Sequence, residues 1–538
     1  MIPRLAWHEL RQQLGGRVFW IVFAVSTLMV AGGMAIDDLR VGLADEGART
    51  GAAAIMRTHL VWTLFFLFTA AAFVGEAALR DELSGFADLV RAMPIYRRNY
   101  TLGRFLGAFG AVLLCFVSVP VAMAAGGVVL GLGSGLAGAY LFAFVALALP
   151  NLFLASALFF ALVSAARSMT GCLLGAAGLL TLYGLAGDSG GGGAGLSLIE
   201  PFGFAAVADA TRGWSPAQRD AMLPSLGGAL LANRMLWLAV AAALVGLGTW
   251  LAEPRPPRKP VRGLPSLAVE ERAEPPHAAA LPADQQRALS SLHARSGWSI
   301  AAKQIGLRTA FETRRVIVTP AFAVLLLMGL GAAAAAAARV TGTPATVAAL
   351  ATSFQLVPLV VALFFAGELF WAEREHNVAP LIAATPAGGT LLVIPKLLAL
   401  AVVLFLLAVT SAGAGVVTEF AKGQPPTLAA YVGWYVLPKA YEWLLLGVLA
   451  LFLQSLAPNK LAGWGYMIFY LIGSLALSKL GWQDPHYRYG GYPGAPLPPS
   501  LSGAHSVGWY RLGWGAVAAA MVALACKRGA AGERDQRR

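Results

Sequence analysis

One place in this sequence begins like a catalytic motif and stops short, and the nucleotide-binding motif does not occur. "HELRQ" starts at His8 with the His-Glu pair of a zinc-hydrolase helix, but Gln12 stands where the second imidazole is needed. A single His cannot build the two-imidazole helix face that holds zinc, so a metal site is excluded there. No G-x-x-x-x-G-K-[ST] occurs anywhere, so the chain has no P-loop to cradle nucleotide phosphates. His376 in "EREH" reads as a solvated loop residue. Cys115, Cys172 and Cys526 lie in or beside apolar runs without paired spacing, which indicates neither a disulfide framework nor a metal site. The chain is therefore not expected to be an enzyme.

The remaining polar candidates sit in or beside long apolar runs. Lys439 and Glu442 are three apart in one such run, on one helix face, where they can pair. A charge within a membrane span is expensive and by default a functional hypothesis. A structural ion pair near the end of the span is the plainer reading. Asn151 and Leu154 occupy the aligned positions in the first half, so a translocation path using Asn151, Lys439 and Glu442 would be asymmetric.

The elements that must position these residues follow from composition. The chain has 538 residues, 58 % of them hydrophobic, and a mean hydropathy of +0.67. Continuous apolar runs of roughly 20 residues recur along it, as a helix crossing a bilayer core requires, and a β-barrel would show short alternating segments instead. Spans are expected near 18–36, 58–76, 105–130, 139–164, 169–187 and 233–251, then 320–338, 354–371, 397–417, 431–456, 461–480 and 508–526. A basic stretch precedes the first run, as in a signal peptide, but an uncleaved first helix fits the many spans that follow.

The net charge of +13 comes from basic residues in loops flanking the spans, which argues against nucleic-acid binding. Lys/Arg are concentrated before the first span, between spans two and three, in the linker and after the last span. Both termini are thus expected in the cytoplasm. Residues 252–300 are rich in Pro, Ala and charge and read as a tether between halves 1–251 and 301–538.

The halves match internally. "GEAALRDELSGFADLVRAMPIYRRNYTLGR" begins at Gly75 and "GELFWAEREHNVAPLIAATPAGGTLLVIPK" at Gly367. One constant offset pairs Glu76 with Glu368, Asp81 with Glu373, Pro94 with Pro386 and Arg104 with Lys396. A second offset pairs "HELRQ" with "FETRR", aligning Glu9 and Arg11 with Glu312 and Arg314. Pro150 in span four echoes Pro438 in span ten. Leu83, Phe86, Val90 and Met93 share one face of a short amphipathic helix over 82–93, followed by basic Arg97 and Arg98. Its counterpart near 380–385 contains Pro380 and is expected to be shorter. Such a helix either lies in lipid headgroups or docks on a soluble partner. Gly103 and Gly107 form G-x-x-x-G, a signal for close helix packing.

Six spans, an approach helix with Glu-x-Arg, and a charged segment ending in "MP" or "TP" between spans two and three resemble the type-two permeases of ATP-binding-cassette transporters. "IEPFGFAAVADATRGWS…LLANRMLWL" and "HYRYGGYPGAP" resemble the fused double-permease portion of bacterial permease–aminopeptidase proteins. The chain departs from these by ending 12 residues after Cys526, with no peptidase. The resemblance implies an all-α polytopic protein of about twelve spans, as two parallel six-helix repeats, each with an approach helix and a cytoplasmic coupling helix. It implies two copies of a separate ATPase subunit, which would carry ATP and Mg, and residence in a bacterial inner membrane. It assigns coupling roles to Arg80, Asp81, Glu82, Asp88, Arg91, Pro94, Arg97, Arg98, Glu373, Arg374, Glu375 and Pro386, and export as the direction of transport. Glu9, Arg11, Glu312 and Arg314 take the approach-helix role. Two other functions remain open from the residues alone: an ion-coupled secondary transporter using Lys439 and Glu442, and a membrane scaffold anchoring a peptidase or periplasmic partner through loops such as 481–506.

Overall fold

The computed structural model describes the chain except for 37–49, 95, 134, 188–195, 253–297, 376–377, 379–381, 383–388, 480–481, 483, 492–500 and 536–538. Most of the linker, Pro380, Pro386 and His376 therefore lie outside the described residues. So does the glycine run Gly190–Gly193. Among the described residues every regular element is helical.

The first half contains α1 (Ile2–Leu14), α2 (Arg17–Ala35), α3 (Ala52–Leu83), α4 (Ala87–Ala92), α5 (Arg97–Phe116) and α6 (Ser118–Val129). It continues with α7 (Ala137–Phe142), a π turn (Ala143–Ala148), α8 (Leu149–Ala166), α9 (Thr170–Gly187), short α10 (Leu196–Ile199), α11 (Phe204–Ala210) and α12 (Pro216–Ala221), and α13 (Gly228–Leu251). The second half contains α14 (Trp298–Ile317), α15 (Pro320–Ala338), α16 (Thr343–Ser353), α17 (Leu356–Glu375) and α18 (Gly389–Ala421). Then come α19 (Leu428–Ala430), a second π turn (Tyr431–Val436), α20 (Leu437–Leu456), α21 (Lys460–Lys479), a 3₁₀ turn (Pro485–Tyr487) and α22 (Leu501–Asp535).

Among the described residues, 10 of the helical stretches are long and apolar enough to cross a bilayer. Helices α9 and α21 occupy the other two expected positions, with 18 and 20 residues. The protein is thus an all-helical, multi-pass membrane protein. Its outward faces fit lipid: Leu28 in α2 is 74 % exposed and Leu327 in α15 is 69 % exposed, which a water-facing surface would not tolerate in such numbers.

Packing is alike in the two halves. Helix α1 lies on α5, as α14 lies on α18; α3 packs on α5 and α8, as α17 packs on α18 and α20; α8 packs on α9 and α13, as α20 packs on α21 and α22. Helix α9 meets α15 and α17 and so joins one half to the other.

The helical stretches Ala137–Ala166 and Leu428–Leu456 share a local irregularity with a plain cause. Pro150 has no N–H for the Ala146 carbonyl, and its ring crowds that carbonyl. The helix widens instead: the Leu149 N–H reaches the Phe144 carbonyl five residues back. Pro438 produces the same turn, with the Leu437 N–H bonded to the Val432 carbonyl.

The amphipathic helix expected over 82–93 is broken in two. Helix α3 runs on through Leu83, and Gly85 then adopts φ +75°, a left-handed geometry that ends the helix. Only Ala87–Ala92 forms α4, and Phe86, Leu89 and Met93 stand exposed at 57 %, 53 % and 47 %. The expected stripe does not form because the helix ends before Gly85 and a new one starts at Ala87.

Gly103 and Gly107 do serve close packing. A Cβ at Gly103 would lie 2.7 Å from Leu5 Cβ, and one at Gly107 would lie 2.6 Å from Glu9 Cβ, so α1 rests directly on the α5 backbone. Gly107→Leu should therefore lift α1 and lower stability by about 1–3 kcal/mol, read as a lower thermal midpoint in detergent, whereas Gly178→Leu, at an open position, should change it little.

Candidate functional site

Helix α3 has 32 residues and so is about 48 Å long, well beyond a bilayer core of about 30 Å. Its last turns carry acids and bases past the apolar zone, and there they meet three neighbouring elements. The result is a charged collar, and the second half builds a corresponding one around the end of α17.

In the first half, Glu9 of α1 is 3 % exposed and held by two guanidiniums. Arg80 of α3 grips it bidentately, with Nη2 to Oε1 at 2.8 Å and Nη1 to Oε2 at 2.9 Å. Arg104 of α5 approaches its Oε2 through Nε at 3.5 Å and binds Asp81 of α3 through Nη1 at 2.6 Å. The Tyr100 hydroxyl donates to Asp81 at 3.0 Å and accepts from Arg104 at 3.1 Å. Gln12 accepts from Arg80 at 2.6 Å, and Gln13 donates to Glu9 at 3.1 Å. Beyond this core, Arg80 lies 3.7 Å from Glu76, and Arg167 lies 3.6 Å from Glu82.

The second collar keeps the roles and changes some residues. Lys396 of α18, 3 % exposed, binds Glu373 of α17 at 2.9 Å, as Arg104 binds Asp81. Glu312 of α14 is buried like Glu9, with Arg315 at 4.0 Å. Ala372 replaces Arg80, so the approach-helix contact reverses sign: Arg308 of α14 supplies the cation and pairs with Glu373. Burial holds the Arg308 guanidinium below its ordinary pKa, against the pull of Glu312. Lys460, at the start of α21, reaches Glu368 at 2.7 Å and Glu375 at 3.1 Å. Arg374 stacks its guanidinium 4.7 Å from the centre of the Trp371 ring.

The glycines that open the two matching segments explain the remaining tie. A Cβ at Gly75 would sit 2.8 Å from Cys172 Sγ and Met169 Sδ, and one at Gly367 would collide with Trp464 and Gln454. Gly75 lets α9 press against α3, and Gly367 lets α21 press against α17. The charged end of α3 is thereby fixed to α1, α5 and α9, and that of α17 to α14, α18 and α21.

Of the residues assigned to coupling, Arg80, Asp81 and Glu373 are collar members engaged inside the protein, and Glu9 and Glu312 are buried with them. Arg11, Arg314, Pro94 and Arg98 are exposed, and Arg97 is half-buried. Glu82 pairs with Arg167, just before α9, and Glu375 with Lys460, at the start of α21. The Asp88 and Arg91 side chains lie outside the described residues, although their backbone forms α4. Arg104 and Lys396 were matched in sequence without a site role, and Arg167, Arg308 and Lys460 were not assigned to the site. The constant offset from Glu76 to Arg104 and from Glu368 to Lys396 was the signal that marks two of them.

Of the three path candidates, Lys439 and Glu442 pair with each other, and Asn151 is held by other partners. Asn151 is buried and its side chain is committed: its amide donates to Thr63 Oγ1 at 3.2 Å and to the Phe202 carbonyl at 2.9 Å, and its oxygen accepts from Arg234 at 2.7 Å. Asn233 donates to the Ser197 and Glu200 carbonyls at 2.6 and 2.8 Å, so the segment around Glu200 is pinned onto α13. Lys439 and Glu442 pair with each other at 2.8 Å along one face of α20.

No protein-family model matches the chain, and no curated protein matches it.

The collars make a directional prediction. Glu373 neutralises two cations, one of them almost fully buried, so Glu373→Gln strands Lys396 and should cost about 2–4 kcal/mol. Lys396→Met leaves Glu373 paired with Arg308 and should cost less than half as much. Thermal unfolding of both variants in detergent checks the order.

Proposed function

We propose that this chain is the membrane subunit of an ATP-binding-cassette transporter, with two parallel six-span permease halves fused in one polypeptide. The matched packing of the two halves and the paired π turns support the repeat. The observation that carries the functional reading is the collar. It appears at the end of the second span in both halves, and in the first half the exposed knob of α4 follows it directly.

A partner that pushes on α4 pushes on a short helix joined to α3 through Gly85 and to α5 through Tyr96. The Arg104–Asp81 and Arg80–Glu9 pairs make α1, α3 and α5 move as one body at that end. Motion then passes into the bundle as a rigid-body tilt rather than being lost in bending of single helices. In this reading the collar faces the cytoplasm with both termini, as the Lys/Arg distribution supports. Two separate ATPase subunits bind ATP and Mg and dock on α4 and on the corresponding region of the second half. Residence in a bacterial inner membrane and export as the direction of transport belong to the same proposal. The ion-coupled alternative gains nothing from Lys439 and Glu442, which neutralise one another within a single helix.

The test is co-purification with candidate Walker-motif ATPase subunits. Phe86→Ser with Leu89→Ser should reduce the complex and its ATPase stimulation at least tenfold, the loss of about 1.4 kcal/mol or more of apolar docking. The thermal midpoint of the isolated chain should stay unchanged, because both side chains are exposed. A complex that forms equally well with both serines in place would sink the assignment of α4.

A further inference from the structure

We propose that the outward faces of α1 and α14 bind the headgroups of anionic phospholipids, so that each approach helix is held between a collar on one side and charged lipid on the other. The inference does not depend on an ATPase. Each approach helix turns its single acid inward: Glu9 and Glu312 are 3 % and 4 % exposed and sit in the collars. The outward faces carry cations and large apolar groups, and no acid. On α1 they include Arg4, Trp7, His8 and Arg11, all exposed. On α14, Lys303, Leu307, Phe311 and Arg314 are spaced four, four and three apart and form one line along the helix, which Val318 continues just past its end. Leu307 and Phe311 are 74 % and 66 % exposed, which water alone would penalise.

The spans that follow set the depth of these faces. Helices α2 and α15 have 19 residues each, about 28 Å, which barely covers a bilayer core of about 30 Å. Their first residues, Arg17 and Pro320, therefore lie at the edge of the core. The last turns of α1 and α14 end three residues earlier, at headgroup depth. Val318 runs on into the lipid-facing surface of α15, where Leu327 stands exposed. Trp20 in the first turn of α2 is also exposed, with its indole N–H turned back onto the Leu14 carbonyl at 2.9 Å, an arrangement that suits a ring at the membrane surface.

Charge selects the lipid. Arg4, Arg11, Lys303 and Arg314 make no ion pair among the described residues, whereas Arg308 and Arg315, toward the collar, do. Half-exposed acids of the collars do not compete for them, because Glu76, Glu82 and Glu375 lie beside Arg80, Arg167 and Lys460. Phosphate oxygens at headgroup depth supply the missing countercharge, while the arginine and lysine stems cover apolar surface. The repeat adds a second observation. At matched positions Arg4 becomes Leu307 and His8 becomes Phe311, yet Arg11 stays Arg314 and neither face gains an acid. Helix α1 thus leans on charge, and α14 adds apolar insertion.

The test uses the full chain without an ATPase, in phosphatidylcholine nanodiscs doped with spin-labelled phosphatidylglycerol or spin-labelled phosphatidylcholine. The motionally restricted fraction of the electron paramagnetic resonance signal reads lipid held at the protein surface. Phosphatidylglycerol should be preferred about threefold at low salt, and Arg4→Gln, Arg11→Gln, Lys303→Gln and Arg314→Gln together should cut that preference by about half. The thermal midpoint in detergent should stay unchanged, because all four side chains are exposed. A nitroxide on Phe311→Cys, selective because Cys115, Cys172 and Cys526 are buried, should be more open to dioxygen than to a water-soluble nickel chelate. A lipid preference that survives the four substitutions, or a nitroxide more open to the chelate, overturns the proposal. So does loss of ATPase co-purification in the fourfold variant with lipid preference intact, which would give the face to that partner instead.

Discussion

A carboxylate removed from water must find its countercharge already in place, and the architecture of both halves is organised around meeting that demand at one end of the second span. Glu9 has two guanidiniums within reach, and Asp81 has one of those two plus a phenol. Such pairs add little net stability compared with well-packed apolar side chains. What they add is position. A guanidinium held by fixed oxygens on α1 and α3 does not slide, whereas leucines across the same gap would tolerate repacking. The approach helix, itself poorly apolar, is kept on the bundle by that geometry and by the α5 glycines beneath it.

The two collars solve one problem with different residues. With Ala372 where Arg80 stands, Glu373 has no cation from its own helix at that position beside Lys396 of α18. Arg308 restores the balance from the approach helix instead of the span. Charge count survives and the direction of the strongest contact inverts. Arg80 grips α1 from α3, while Arg308 grips α17 from α14.

Much of this was legible in the sequence, and the limits have physical causes. Span positions follow from apolar length, which the bilayer imposes directly. The matched acids and cations stood out because their spacing along α3–α5 and α17–α18 is set by the fold and is the same twice. The split of the 82–93 helix did not stand out, since alternation of apolar and charged residues says nothing about a left-handed residue at Gly85. Asn151 looked like a path residue because a polar group in a span invites that reading. Its partners, Phe202 and Arg234, are far away in sequence and could be assigned only from the folded segment between α9 and α13.

The π turns carry a consequence for how faces are counted in these spans. Each inserts one residue beyond α-helical spacing, and one residue is worth about 100° of rotation. Side chains after Leu149 therefore point about a quarter-turn away from where an uninterrupted helix starting at Ala137 would aim them. The same phase slip separates Leu428–Ala430 from α20. Asn151, Lys439 and Glu442 all lie just past a slip, so their neighbours are chosen by the proline that forces the wide turn as much as by their own position along the chain.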